Sequence, residues 1–136
     1  MERKYSTQME AARMGIVTPE LEAVAKKENR SVEELLPLMA SGKMVIPANV
    51  NHKSLDPNGV GSMLKTKINV NLGISRDCKD YDIEMKKVMR AVDLGAEAIM
   101  DLSSHGNTQP FRQKLCTECP AMIGTVPIYD SVIHYQ

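Results

Sequence analysis

Three short apolar segments in the second half of the chain alternate with helical patterns, and this alternation restricts the fold more than any other feature. The predicted strands are Lys67–Asn71, Ala98–Leu102 and Met122–Ile128. Apolar residues at helical spacing lie between them, at Met85, Val88, Met89 and Val92 and then at Phe111 and Leu115. Strands that are joined through helices run parallel in one sheet. The sequence therefore predicts an α/β fold with three successive β/α units.

The first sixty residues instead carry the signals of short helices. Thr7, Thr18 and Ser31 are good N-cap residues, and Pro19 suits a first helical position. Pro37 interrupts the third apolar stripe and predicts a kink or a break into short turns. A short strand is predicted at residues 43–46. We expect two regions, a helical region with a short strand and a loop at residues 1–60 and the start of a (β/α)8 barrel at residues 61–136.

The length of the chain conflicts with a complete barrel. A closed (β/α)8 barrel needs about 250 residues, whereas this chain has 136. Three parallel strands leave an unpaired sheet edge and an uncovered face. Residues 131–136 resemble the opening of a third helix that is cut short. We therefore expect an incomplete barrel, present as a fragment that on its own is poorly soluble or oligomeric.

Composition excludes several classes of protein. The 17 basic and 17 acidic side chains balance, which argues against a nucleic-acid-binding protein. No apolar run approaches the roughly 20 residues of a membrane span, and Met1–Ser6 lacks the apolar core of an export signal. Three cysteines without such a signal favour reduced thiols in the cytoplasm. Ten methionines, no tryptophan and one phenylalanine predict a core in which methionine replaces aromatic volume.

Three polar or soft residues recur late in the predicted strands, at Asn71, Met100 and Tyr129. The interval is 29 residues in both cases (100 − 71 and 129 − 100). Equal intervals predict one level at the carboxyl ends of the strands, where barrels of this class place their active sites. An amide, a thioether and a phenol there suit a small polar ring. The alternative is that Met100 is a core residue and that the other two are ordinary strand-end residues.

Three other groups of residues invite a functional interpretation. Asn49, Asn51 and His52, with Lys53, could bind a phosphate, although Asn side chains in loops more often bond their own backbone. Cys116 and Cys119 form a CxxC without a second pair, and His52, His105 and His134 lack the spacing of metal ligands, so we predict no metal site within the chain. We expect one of these two cysteines to be packed and the other exposed. Ser103, Ser104 and His105 lack the surroundings of a nucleophile elbow, so hydrolase chemistry is not predicted.

Five ordered blocks of the sequence resemble the phosphomethylpyrimidine synthase family of thiamine biosynthesis. They are Thr7–Glu20, Ile46–His52, Lys67–Gly73, Ile99–Ser103 and Ile123–Tyr129. Other blocks resemble the anaerobic 5-hydroxybenzimidazole synthase branch of that family, which makes a lower ligand of cobamides. They are His52–Pro57 with Gly59–Gly61, Asn71–Ser75 and Pro120–Gly124.

This resemblance implies a radical S-adenosylmethionine lyase that rearranges 5-aminoimidazole ribotide in the cytoplasm. Its implied cofactors are a [4Fe-4S] cluster, S-adenosylmethionine and a divalent metal, zinc, and its implied assembly is a homodimer. Asn71, Met100 and Tyr129 match the family's substrate contacts, so the resemblance favours ligand positioning by these three residues over the structural alternative. No catalytic residue and no metal ligand is transferred to this chain.

The cluster and metal ligands of the family are expected beyond residue 136, and Cys116 and Cys119 do not correspond to its cluster motif. The chain alone is therefore expected to be inactive. The alternative is a naturally short protein without catalytic activity, which binds the ribotide as a module or partner subunit.

Overall fold

A computed structural model describes residues 4–135. The first three residues of the amino-terminal segment, and Gln136 at the end of the predicted third helix, lie outside this range. The helices are α1 (Gln8–Arg13), α2 (Pro19–Glu28), α3 (Val32–Ala40), α4 (Tyr81–Asp93), α5 (Gln109–Glu118) and α6 (Pro127–Tyr135). The strands are β1 (Met44–Val45), β2 (Val60–Gly61), β3 (Asn69–Leu72), β4 (Ala98–Asp101) and β5 (Met122–Thr125).

These elements form two compact units. The first contains the chain up to Asn49 together with Pro57–Thr66, and the second contains Val50–Asp56 and the chain from Lys67 onward. The chain thus changes unit after Asn49, after Asp56 and after Thr66, where a single boundary near residue 60 is predicted.

The first unit contains three capped helices, as its sequence signals predict. Thr7, Thr18 and Ser31 are the N-caps of α1, α2 and α3, and each side chain accepts a hydrogen bond from the backbone three residues on. Only the Ser31 cap is a complete capping box, because Glu34 also accepts from the Ser31 amide at 2.9 Å. At α1, the Glu10 carboxylate accepts instead from the amide of Ser6.

The core of the first unit lies between these helices and a short antiparallel pair, β1 with β2. Its fully buried side chains include Leu21, Val24, Leu35, Met39 and Met44. The methionine-rich core predicted from composition is thus confirmed in part, since other methionines are more than half exposed, such as Met14 at 54%.

The second unit is a three-stranded parallel sheet in the order β3-β4-β5, with α4 and α5 as the connections. Both helices pack on one sheet face, where Met85 and Val88 of α4 and Phe111 and Leu115 of α5 surround Ile99. Side chains alternate between faces along a strand. The opposite face therefore carries the other set of side chains, namely Asn69, Asn71, Ala98, Met100, Met122 and Gly124.

The predicted strand, helix, strand, helix, strand order is confirmed, and the second unit is an open parallel sheet. Closure into a barrel stays a prediction. Two details of the prediction are wrong. The segment at Pro127 begins helix α6 rather than ending the third strand, and Pro37 lies within an uninterrupted α3. Across residues 4–135, we find no helix with the length and apolar character that a bilayer crossing requires.

Candidate functional site

Asn71 and Met100 lie side by side near the carboxyl ends of two neighbouring strands. They are register partners across β3 and β4, and Gly124 of β5 is the partner of Met100 on the other side. The Met100 side chain lies across Gly124, because a Cβ at position 124 would be 2.8 Å from its Sδ atom. The Asn71 Oδ1 atom accepts a hydrogen bond of 2.8 Å from the Asn69 amide. These residues share the sheet face that the helices leave uncovered, and Asn71 is exposed there.

Tyr129 does not lie on a strand, so the prediction of three strand-end residues is wrong for this one. β5 ends at Thr125, and Tyr129 lies in the first turn of α6, where its amide bonds the Val126 carbonyl at 3.0 Å. The reason is Pro127, whose fixed φ and missing N–H suit the first position of a helix. The Tyr129 side chain is 39% exposed.

The turn that follows Asn71 is held by two buried side chains. Glu84 of α4 is fully buried, and its carboxylate accepts from the Gly73 amide at 3.0 Å and from Lys87 Nζ at 2.5 Å. The bond from Lys87 to this carboxylate raises the pKa of Lys87. Ser103 is also fully buried, and its Oγ atom accepts from the Ile74 amide at 3.1 Å. Gly73 has φ +142°, a conformation that side chains other than glycine rarely adopt.

A second polar cluster connects the end of β4 to α6. Asp101 is fully buried on the helix side of the sheet, and its Oδ1 atom accepts from the hydroxyl of Ser103 at 2.5 Å. Its Oδ2 atom accepts from Arg112 Nε at 2.8 Å. Arg112 Nη1 also donates to Asp130 Oδ2 at 2.5 Å, and the Thr108 hydroxyl donates to Asp130 Oδ1 at 2.8 Å.

The charges in this cluster reinforce one another. The hydrogen bond from Arg112 lowers the pKa of Asp130, against the opposing effect of burial. Burial opposes the charge on Arg112, but the bonds to Asp130 and Asp101 outweigh that effect and raise the pKa of Arg112. All three groups are therefore ionised near neutral pH, and Arg112 joins the two carboxylates.

The loop at residues 49–53, a candidate phosphate site, instead bonds the end of α5. The His52 ring is largely buried, with Nε2 at 2.6 Å from the Cys119 carbonyl oxygen, and the Ser54 hydroxyl donates to the same oxygen at 2.7 Å. The Lys53 amide donates to the Cys116 carbonyl at 2.9 Å. These contacts give His52 a structural role in fixing the loop against the helix end.

Cys119 is fully buried and Cys116 is partly exposed, which confirms the expectation of one packed and one more accessible thiol. Burial raises the pKa of the Cys119 thiol, so it resists ionisation to the reactive thiolate. Cys78 is exposed.

A cleft of about 920 Å³ adjoins α5 and α6, and Arg112, Cys116, Asp130 and His134 are among its lining residues. Asn71, Met100 and Tyr129 are not among them. The cleft therefore does not bring the three predicted site residues together, and we do not include it in the candidate site.

Sequence reasoning missed Glu84, Arg112 and Asp130, which support the strand ends. Their partners are 11 to 18 residues away in sequence, so no short motif reveals them. Asp101 carried a weak signal, since an acidic residue that directly follows an apolar strand needs a partner when the strand end is buried.

Comparison with known proteins provides the family. The sequence model described as the radical SAM ThiC family matches residues 7–136. This chain belongs to that family. It is 66% identical over 133 residues to the phosphomethylpyrimidine synthase of Alkaliphilus oremlandii, covering 98% of this chain and 30% of that protein. It is 61% identical over 132 residues to the phosphomethylpyrimidine synthase of Clostridium botulinum strain Hall, covering 97% of this chain and 30% of that protein. The chain thus spans less than a third of the length of these curated ThiC-family relatives.

A radical SAM family implies S-adenosylmethionine and an iron–sulfur cluster, so the described residues can be tested as ligands. No group of three or more His, Cys, Asp or Glu side chains within residues 4–135 is arranged to hold a metal ion. Cys119 is fully buried, with its backbone carbonyl bonded by His52 and Ser54. The residues of this ThiC-family chain that the structure describes do not fit the cluster, and no chemical step is assigned to it here.

Proposed function

We propose that this chain is the amino-terminal, substrate-binding part of a phosphomethylpyrimidine synthase, a radical SAM lyase that rearranges 5-aminoimidazole ribotide for thiamine biosynthesis. The observation that carries the proposal is the identity of 61–66% along nearly the whole chain to relatives of that name. The open sheet face supports it, because Asn71 and Met100 lie adjacent on that face near the carboxyl ends of parallel strands. Ligands of open α/β sheets and barrels bind at such ends.

In this proposal, the three residues position the ribotide and transfer no proton. The Asn71 amide offers a donor and an acceptor to the edge of the imidazole ring, and the Met100 thioether contacts the face of the ring. The Tyr129 hydroxyl, at the start of α6, provides a further hydrogen bond. The fixed sheet limits the freedom of the first two side chains, which lowers the entropic cost of binding.

The product has two candidates. The names of the relatives favour the pyrimidine phosphate of thiamine, whereas the blocks around residues 52–61 and 71–75 resemble the 5-hydroxybenzimidazole synthase branch. Anaerobic turnover of 5-aminoimidazole ribotide by the complete enzyme, with the product identified by mass, distinguishes them. We further propose that the complete enzyme is a cytoplasmic homodimer that binds a [4Fe-4S] cluster and zinc through residues other than those described here.

Substitution of Asn71 tests the substrate assignment. In the complete enzyme, Asn71→Ala is expected to weaken ribotide binding by about 0.5–1.5 kcal/mol, or up to about 3 kcal/mol if a buried partner is left unpaired. Calorimetry under anaerobic conditions measures this affinity, and iron content checks that cluster loading is unchanged.

Asn69→Ala is the matched control, because Asn69 lies on the same face of the same strand, two residues further from its carboxyl end. We expect it to change the affinity less than Asn71→Ala does. Equal ribotide affinity in Asn71→Ala and the unaltered enzyme would refute the assignment.

A further inference from the structure

A continuous set of hydrogen bonds links the segments that follow all three parallel strands. It begins at the Ile74 amide, just after β3, which donates to Ser103 Oγ at 3.1 Å. The Ser103 hydroxyl donates to Asp101 at the end of β4. Arg112 then joins Asp101 to Asp130 in α6, the helix that follows β5, at 2.8 Å and 2.5 Å. We call Ser103, Asp101, Arg112 and Asp130 the strand-end network.

Each end of this network is close in sequence to a residue of the proposed ribotide site. Asp101 directly follows Met100, Asp130 directly follows Tyr129, and Ile74 lies three residues after Asn71. Adjacent residues of a strand point to opposite faces, so Asp101 and Met100 lie on opposite sides of β4. The network is therefore placed behind the ligand face and does not touch a ligand bound there.

The network is an expensive arrangement if its only role is stability. Asp101 and Ser103 are fully exposed to neither solvent nor bulk ions, since both have 0% accessibility. Buried ion pairs contribute little net stability compared with apolar side chains of similar volume, because each charge loses its hydration. Their best-supported benefit is to select one geometry among several, since displaced partners leave a charge buried and unpaired. A site built on three separate strand ends needs such a constraint.

We propose that the strand-end network is a positioning device, which fixes Asn71, Met100 and Tyr129 relative to one another so that they contact one imidazole-bearing ribotide. The inference rests on the proposed function. Arg112 is its central residue, because it alone in the network bonds both the β4 end and α6. Arg112 is a positioning residue and contacts no reacting atom in this proposal.

The test measures ribotide affinity in the complete enzyme carrying Arg112→Met. We expect the affinity to fall roughly 2- to 30-fold, the range found for residues that act on a ligand without touching it. Arg112→Lys should recover part of this loss, because one ammonium group cannot bond both carboxylates in the same forked geometry. Leu115→Ala is the matched control, since Leu115 is a fully buried residue of the same helix with an apolar side chain. It should lower stability and leave the affinity unchanged.

A double-mutant cycle with Asn71→Ala separates positioning from general destabilisation. If the network positions Asn71, Arg112→Met should lose less affinity in the Asn71→Ala background than in the unaltered enzyme. Equal losses in the two backgrounds, or no loss in either, would overturn the inference. Should Arg112→Met not fold, Ser103→Ala takes its place in the cycle, because it removes the link to Ile74 and leaves the ion pairs in place.

Failure of this inference and failure of the proposed function give different results. If Asn71→Ala leaves the affinity unchanged, the substrate assignment fails first. If Asn71→Ala weakens binding while the Arg112 and Ser103 variants bind normally, the substrate assignment holds and the positioning role is wrong.

Discussion

Replacement of Gly73 by alanine should destabilise the second unit more than an ordinary glycine substitution does. Gly73 follows β3 directly and has φ +142°. A Cβ at this position would lie 2.5 Å from the Ser103 nitrogen and 2.8 Å from the Leu102 carbonyl carbon. Both atoms belong to the backbone after β4, so no side-chain rotation relieves the contact. The two strand ends must therefore separate.

The magnitude has two parts. Two backbone bonds join the strand ends here, from the Leu102 amide to the Leu72 carbonyl at 2.7 Å and from the Ser104 amide to the Ile74 carbonyl at 3.0 Å. Their loss costs about 0.5–1.5 kcal/mol each. A strained positive φ adds about 1–3 kcal/mol. We expect Gly73→Ala to lower the free energy of unfolding by roughly 2–6 kcal/mol, a large fraction of the 5–15 kcal/mol typical of a folded domain.

Gly95→Ala is the control for the backbone conformation alone. Gly95 also has a positive φ, +94°, but a Cβ there has no atom within 4 Å. It should cost only about 1–2 kcal/mol, the penalty of a left-handed conformation. Urea denaturation of this chain, with hydrogen exchange of the peptides that contain β3 and β4, measures both variants. If Gly73→Ala costs no more than Gly95→Ala, the steric reasoning about the strand ends is wrong.

Three further predictions concern separate parts of the chain. Ser31→Ala removes a complete capping box and should cost about 1 kcal/mol in urea denaturation; no change would mean that the cap is not formed. The folded pKa of Asp130 lies below 3.8, so the stability that it contributes is present above that value and lost as the pH falls through the lower folded value. Acid titrations of unfolding should lose this component in Arg112→Met. Iodoacetamide should alkylate Cys78 before Cys119, since Cys78 is exposed and burial raises the pKa of Cys119; mass spectrometry of the native protein reports the order.

Local signals predicted the elements of this fold well. The N-caps Thr7, Thr18 and Ser31 all begin helices as expected, because a hydroxyl can bond an amide three residues away without help from the rest of the fold. The pairing of β1 with β2 was not predicted, since Val60–Gly61 is too short to show a pattern of its own. Pro37 was misjudged because the burial of Leu35 and Met39 holds α3 together despite one missing hydrogen bond.

The candidate site shows what sequence spacing cannot provide. Asn71 and Met100 are 29 residues apart and are register partners, but the residue level with them on β5 is Gly124, only 24 residues after Met100 (124 − 100). An interval in sequence adds the lengths of a strand, a turn and a helix, and only their separate values determine the level on the sheet. Tyr129 kept the interval of 29 and lost the level, because Pro127 starts a helix in place of two more strand residues. If Tyr129 contacts the same ligand as Asn71 and Met100, the first turn of α6 must bring it there, and the position of that turn depends on Arg112 and Thr108, which bond its Asp130.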